Sequence, residues 1–158
     1  MKKLLLGIAA VCLAGFTFAQ DAPLWMRHSV ISPDGTTIAF TYKGDIYTVP
    51  VAGGRAMQIT TNPAYDTAPV WSPDSKRIAF ASDRMGSLDV YIVAKDGGEP
   101  RRLTTHSGSE TPLAFTDAGH VLFSAGIMPS AEAVVFPSNG QFNQVYRVSV
   151  EGGRPTMI

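Results

Sequence analysis

One unit occurs three times along this chain, and that repetition limits the available folds more than any other feature. The clearest copy begins Val70-Trp71-Ser72-Pro73-Asp74 and continues Arg77-Ile78-Ala79-Phe80-Ala81-Ser82-Asp83, then Asp89-Val90-Tyr91-Ile92-Val93. It closes through Asp96-Gly97-Gly98 on Leu103-Thr104. An earlier copy has Ile31-Ser32-Pro33-Asp34-Gly35, Ile38-Ala39-Phe40, Asp45-Ile46-Tyr47, Gly53-Gly54 and Ile59-Thr60. A looser third copy has Phe115-Thr116-Asp117, Val121-Leu122-Phe123, Gln144-Val145-Tyr146, Gly152-Gly153 and Met157-Ile158. Ser32 and Ser72 are 40 residues apart, and Trp71 and Phe115 are 44 apart. That is the period of a four-stranded propeller blade, about 40 to 45 residues.

Within each copy the apolar runs are four to six residues long, rich in Val, Ile, Phe and Tyr, and too closely punctuated for helices. The punctuation is chemically specific. Ser32-Pro33-Asp34-Gly35 has Pro and Gly where a type I turn wants them, and each Gly-Gly pair suits a hairpin that needs positive φ. Ile78-Ala79-Phe80-Ala81 does not alternate apolar with polar, as a strand buried on both faces would not. The fold class read from the sequence is therefore all-β: three four-stranded antiparallel propeller blades, at about residues 27–60, 68–104 and 112–158. A two-sheet sandwich would explain the strands but not the repeat. Rings close with about four to eight blades, so three make an incomplete propeller and predict a piece of something longer. On that expectation, residues 20–158 alone should associate through uncovered blade faces.

Residues 1–19 read as a secretory signal peptide. Lys2 and Lys3 precede an apolar run from Leu4 to Phe16, and Thr17-Phe18-Ala19 offers small residues before a cut. The run is short for a membrane span, and no span is expected once it is removed. The remainder has 11 basic and 13 acidic side chains and no cysteine, since Cys12 lies in the leader. That charge balance argues against a nucleic-acid surface. The protein is expected to be exported, and periplasmic if its source is a Gram-negative bacterium.

The Ser-Pro-Asp turns at Ser32 and Ser72, the following Ile-Ala-Phe, Ala81-Ser82-Asp83-Arg84, Asp89-Val90-Tyr91 and Gly97-Gly98 before Arg102-Leu103-Thr104 together resemble the β-propeller repeats of TolB and of tricorn-type proteases. Trp25, Tyr42-Lys43-Gly44-Asp45-Ile46-Tyr47 and Thr61-Asn62-Pro63-Ala64-Tyr65-Asp66 look most like the first blade of exported bacterial tricorn-like serine peptidases. The resemblance implies a non-catalytic module that admits or binds peptides for catalytic domains, and further blades, outside this chain. The alternative it implies is a TolB-like envelope propeller that binds protein partners. A propeller enzyme acting on sugars or small molecules is a third class.

No Gly-x-Ser-x-Gly, His-Glu-x-x-His, phosphate loop or cysteine pair occurs in the chain. His106 lies near Ser107, Ser109 and Glu110, but neighbouring loop residues seldom give triad geometry, so no catalytic residue is assigned. No cofactor and no metal are expected. Asp83 and Arg84 are candidates for ligand contact, against a bland reading in which Asp83 bonds the backbone of a turn. From the second-strand Phe to the third-strand Tyr the spacing grows from 7 to 11 to 23 residues over the three copies. That connection emerges on the same propeller face as the links between blades, which carry Tyr65, Asp66, His106 and Glu110. Variable loops on a rigid scaffold are where recognition resides. In the longest, Ile127, Met128 and Phe136 join the candidates, within a hairpin expected to turn near Asn139.

Overall fold

The computed structural model describes residues 25–126 and 143–158. The leader and the expected hairpin, with Ile127, Met128 and Phe136, lie outside the described residues. The first sheet contains β1 (Arg27–Ile31), β2 (Thr37–Tyr42), β3 (Asp45–Pro50) and β4 (Met57–Gln58). The second contains β5 (Asp66–Trp71), β6 (Arg77–Ser82), β7 (Asp89–Ala94) and β8 (Arg101–Arg102). The third contains β9 (Glu110–Asp117), β10 (His120–Ala125), β11 (Gln144–Ser149) and β12 (Thr156–Met157). Each is an antiparallel meander whose spatial order follows the chain. These are the expected blades. The strands of blades two and three open two residues earlier than the sequence estimate, at Asp66 and Glu110.

The turn chemistry follows directly from the sequence. Gly35 N–H donates to Ser32 O at 2.8 Å, and Ser75 N–H donates to Ser72 O at 2.9 Å. In each turn the serine hydroxyl donates to the aspartate two residues on, at 2.5 Å. The same hydroxyl oxygen accepts from the N–H that opens the next strand, Thr37 at 3.0 Å and Arg77 at 2.9 Å. These bonds, the serine hydroxyl foremost, hold the Asp34 and Asp74 carboxyls below the usual carboxylate range. The third copy lacks the serine, and Asp117 instead accepts from Gly119 N–H at 2.6 Å.

Packing is between sheets, and it repeats. At the seam of blades one and two, Ala39 and Ile46 meet Trp71, Ile78, Phe80, Tyr91 and Val93. At the seam of blades two and three, Ala79, Val90 and Ile92 meet Val121, Phe123, Tyr146 and Val148. One blade presents small and branched side chains, and the next presents a ring pair. The pairs are Phe40–Tyr47, Phe80–Tyr91 and Phe123–Tyr146, all stacked with centroids 5.6 to 6.0 Å apart. Covered on both sides, β6 and β7 are buried almost end to end, whereas β10 alternates between buried and half-buried residues. Complete burial of a side chain such as Phe80 is worth about 1.5 to 3 kcal/mol, so these seams dominate the stability.

Candidate functional site

The links between blades are tied to the preceding hairpin. Asp66 N–H donates to Gly44 O, and Glu110 N–H donates to Leu88 O, both at 2.7 Å. The threonine two residues beyond each outer strand also braces the third strand: Ile46 N–H donates to Thr60 Oγ1 at 3.0 Å, and Val90 N–H to Thr104 Oγ1 at 2.9 Å. These ties bring the β2–β3 and β6–β7 connections and both links to one face.

The sequence candidates on this face separate into surface and interior. Tyr65 is 42 % exposed, and its ring lies against Gly44. Its N–H donates to Asp83 Oδ1 at 2.7 Å, which fixes the link to the turn after β6. His106 is exposed; its Nδ1 accepts from Gly108 N–H at 2.9 Å and its carbonyl accepts from Ser87 Oγ at 3.3 Å. Asp66 and Glu110, by contrast, are wholly buried as the first residues of β5 and β9.

Asp66 is satisfied by Arg84. The guanidinium Nη2 lies 3.2 and 3.1 Å from its two oxygens, while Nε donates to Ser82 Oγ at 2.9 Å. The same guanidinium stacks 4.5 Å from the Tyr91 ring centroid and 5.7 Å from that of Phe80. Asp45 stands nearby, bonded by Gln58 Nε2 at 3.0 Å and Thr60 Oγ1 at 3.3 Å. Burial first, and then the Asp66 charge, push its carboxyl up, while the two hydrogen bonds pull the other way.

The seam of blades two and three carries acids at the corresponding positions, Asp89 and Glu110, with other partners. Arg102 Nη2 is 2.8 Å from Asp89 Oδ2. Glu110 takes the place of Asp66. No hydrogen bond of normal geometry reaches either of its oxygens among the described residues. Burial pushes its carboxyl up to about 7 and the Asp89 charge adds to this, opposed by the neighbouring Thr104 hydroxyl and Arg102.

An open cleft of about 340 Å³ lies beside Tyr65, lined also by Trp25, Arg27, Thr41, Lys43 and Gly44. Trp25 is 72 % exposed, with the Arg27 guanidinium 5.9 Å from its ring centroid. Lys43 Nζ stands 5.3 Å from the Tyr42 ring centroid. Arg27 and Lys43 were not singled out from sequence. The available signal was two cations, each within two residues of an aromatic, at the start and turn of the first blade. The cleft can cover an apolar side chain with two rings and offer two cationic donors beside it.

The profile of the tricorn protease N-terminal beta propeller domain matches residues 23–158. The chain belongs to the tricorn protease N-terminal β-propeller family. It is 35 % identical over 102 residues to tricorn protease homolog 1 of Streptomyces coelicolor, covering 64 % of this chain and 9 % of that one. It is 30 % identical over 129 residues to the uncharacterized peptidase YuxL of Bacillus subtilis, covering 80 % of this chain and 20 % of that one. This tricorn-type propeller segment thus spans about a tenth to a fifth of the curated relatives it matches. Among solved structures, a putative TolB from Agrobacterium tumefaciens shares the fold, with a TM-score of 0.66 at 20 % identity over 87 % of this chain and 50 % of that one.

Proposed function

We propose that this propeller segment binds peptides on behalf of an exported tricorn-like serine peptidase whose catalytic groups lie outside this chain. The observation that carries the proposal is the cleft on the link face. Trp25 and Tyr65 wall it, and Arg27 and Lys43 stand where they can donate to peptide carbonyls. Membership of the tricorn propeller family and likeness to two peptidase chains support it. Export is supported by the Lys2-Lys3 start and the apolar run that follows. Secreted protein is then expected to begin at or near Gln20 on N-terminal sequencing.

The test uses the full-length protein and an internally quenched peptide library. Trp25→Ala and Tyr65→Ala are expected to raise KM severalfold for the best cleaved peptides, with kcat little changed, since a remote binding surface contributes uniform binding. Unchanged KM in both variants overturns the proposal. The second reading, a TolB-like propeller that binds protein partners, is favoured by the shared fold. It predicts that the full-length protein cleaves no member of the library.

A further inference from the structure

The two blade seams are built to one plan, and their difference is informative. In the first, buried Asp66 has a cation from its own blade in Arg84. In the second, buried Glu110 has no such partner among the described residues. Counted from the second-strand Phe, Arg84 corresponds to Ile127, and residues 126–143 contain no Lys, Arg or His. In register, Ser82 pairs with Asp66, whereas Ala125, which has no hydroxyl, pairs with Glu110. The groups that act on the Glu110 carboxyl are Asp89 from β7, Arg102 from β8 and the Thr104 hydroxyl that follows β8. Among the described residues the second seam therefore holds two carboxyls, both wholly buried, against one guanidinium, which is already 2.8 Å from Asp89. Two ionised carboxylates at such a place are costly to bury, and one retained proton removes most of that cost.

We propose that Glu110 retains its proton at the seam of blades two and three, and that this proton keeps the seam closed. The device goes beyond peptide binding and stands independently of it. Glu110 opens the strand that follows the link carrying His106.

The sign follows from linkage. Glu110 binds its proton more tightly in the folded seam than in the open one, so closure is fully favoured below the open-state value near 4.5. The advantage is lost as pH rises through about 7. Within that window the equilibrium for seam opening changes by up to about tenfold per pH unit. The experiment is hydrogen exchange on the full-length protein, followed at β9 and β10 from pH 5 to 8.5 and corrected for intrinsic rates. Protection of these strands is expected to fall with pH in the native protein and to be flat in Glu110→Gln, which keeps a neutral group of the same shape. Strands β2 and β3 serve as the internal control, since they lie outside the second seam.

Carbon NMR titration of the Glu110 carboxyl in native protein tests the proton directly and needs no variant. A carboxyl still protonated at pH 6 is expected. Glu110 fully ionised at pH 6 overturns the proposal, even if Glu110→Gln fails to fold. An identical pH dependence of exchange in native protein and Glu110→Gln also overturns it.

Discussion

Arg84, just past the end of β6, places its guanidinium 3.1 Å from the buried carboxylate of Asp66 on the neighbouring strand β5. The aromatic pair beneath it, Phe80 and Tyr91, shields the contact from water and shapes the slot for a planar cation. A partner of this kind matters less for what it adds than for what its removal leaves behind. Arg84→Ala strands a charge with no exposure, at a cost of about 3 to 5 kcal/mol. Arg84→Lys should recover only part of that, because an ammonium lacks the fork and the stacking plane. Thermal unfolding of the propeller transition in the full-length protein is the measurement. A loss below about 1 kcal/mol in Arg84→Ala would show that water satisfies Asp66 instead.

Trp71 ties blade two to blade one by a different bond. Its indole Nε1 donates to Val30 O at 3.1 Å while the ring packs into the first seam. Phe115 occupies the corresponding place in blade three. Trp71→Phe therefore has an internal precedent for shape, and should cost chiefly the bond and some packing, about 1 to 2 kcal/mol. Amide exchange at Val30 and its neighbours should quicken. Unaltered exchange there would mean that the indole bond does not hold the seam.

The blades were legible because their signals are local: Ser-Pro-Asp turns, Gly-Gly hairpins and the Phe to Tyr register recur within short windows. The burial of Asp66 and Glu110 was not legible in that way. Each ends a polar link, and polar links read as solvated. The signal was positional, for Asp66 lies five residues before Trp71 and Glu110 five before Phe115, as Asp45 and Asp89 each lie two before a tyrosine. An acid fixed at one place in a repeat marks a structural site, whereas loop composition marks only accessibility. The cleft was missed because it joins residues from three separate segments, Trp25, Lys43 and Tyr65, which only sheet pairing brings together.

The Ser-Pro-Asp turns predict a dependence on acid. Asp34 and Asp74 are held below the usual carboxylate value of 3.8, first by a serine hydroxyl and then by backbone N–H groups. Groups depressed in the folded state contribute stability above their unfolded value, and that stability is lost as pH falls through the folded value. The turns should therefore weaken below about pH 4, the opposite direction to the Glu110 seam. Asp74→Asn should lower stability at neutral pH and flatten the acid limb. Parallel acid limbs in the variant and native protein would show that the Ser72 hydroxyl bond does not distinguish the charged form.

Gly44 links the fold to the candidate binding cleft. It has φ of +89°, its carbonyl accepts from Asp66 N–H, and a Cβ added to it would sit 3.5 Å from Tyr65 Cδ2. That spacing is ordinary contact, so Gly44→Ala should not clash. The penalty comes from the backbone, where an L side chain in the left-handed region costs about 1 to 2 kcal/mol. If the turn keeps its conformation, Tyr65 and the cleft survive and only stability falls. If the turn relaxes to negative φ, the Gly44 carbonyl leaves Asp66 and the Tyr65 wall moves with the link. Peptide KM separates these outcomes. A rise in KM that matches Tyr65→Ala is expected, because Gly44 and Tyr65 are coupled through the Asp66 amide. Lost stability with unchanged KM would show that the turn serves the fold and not the cleft.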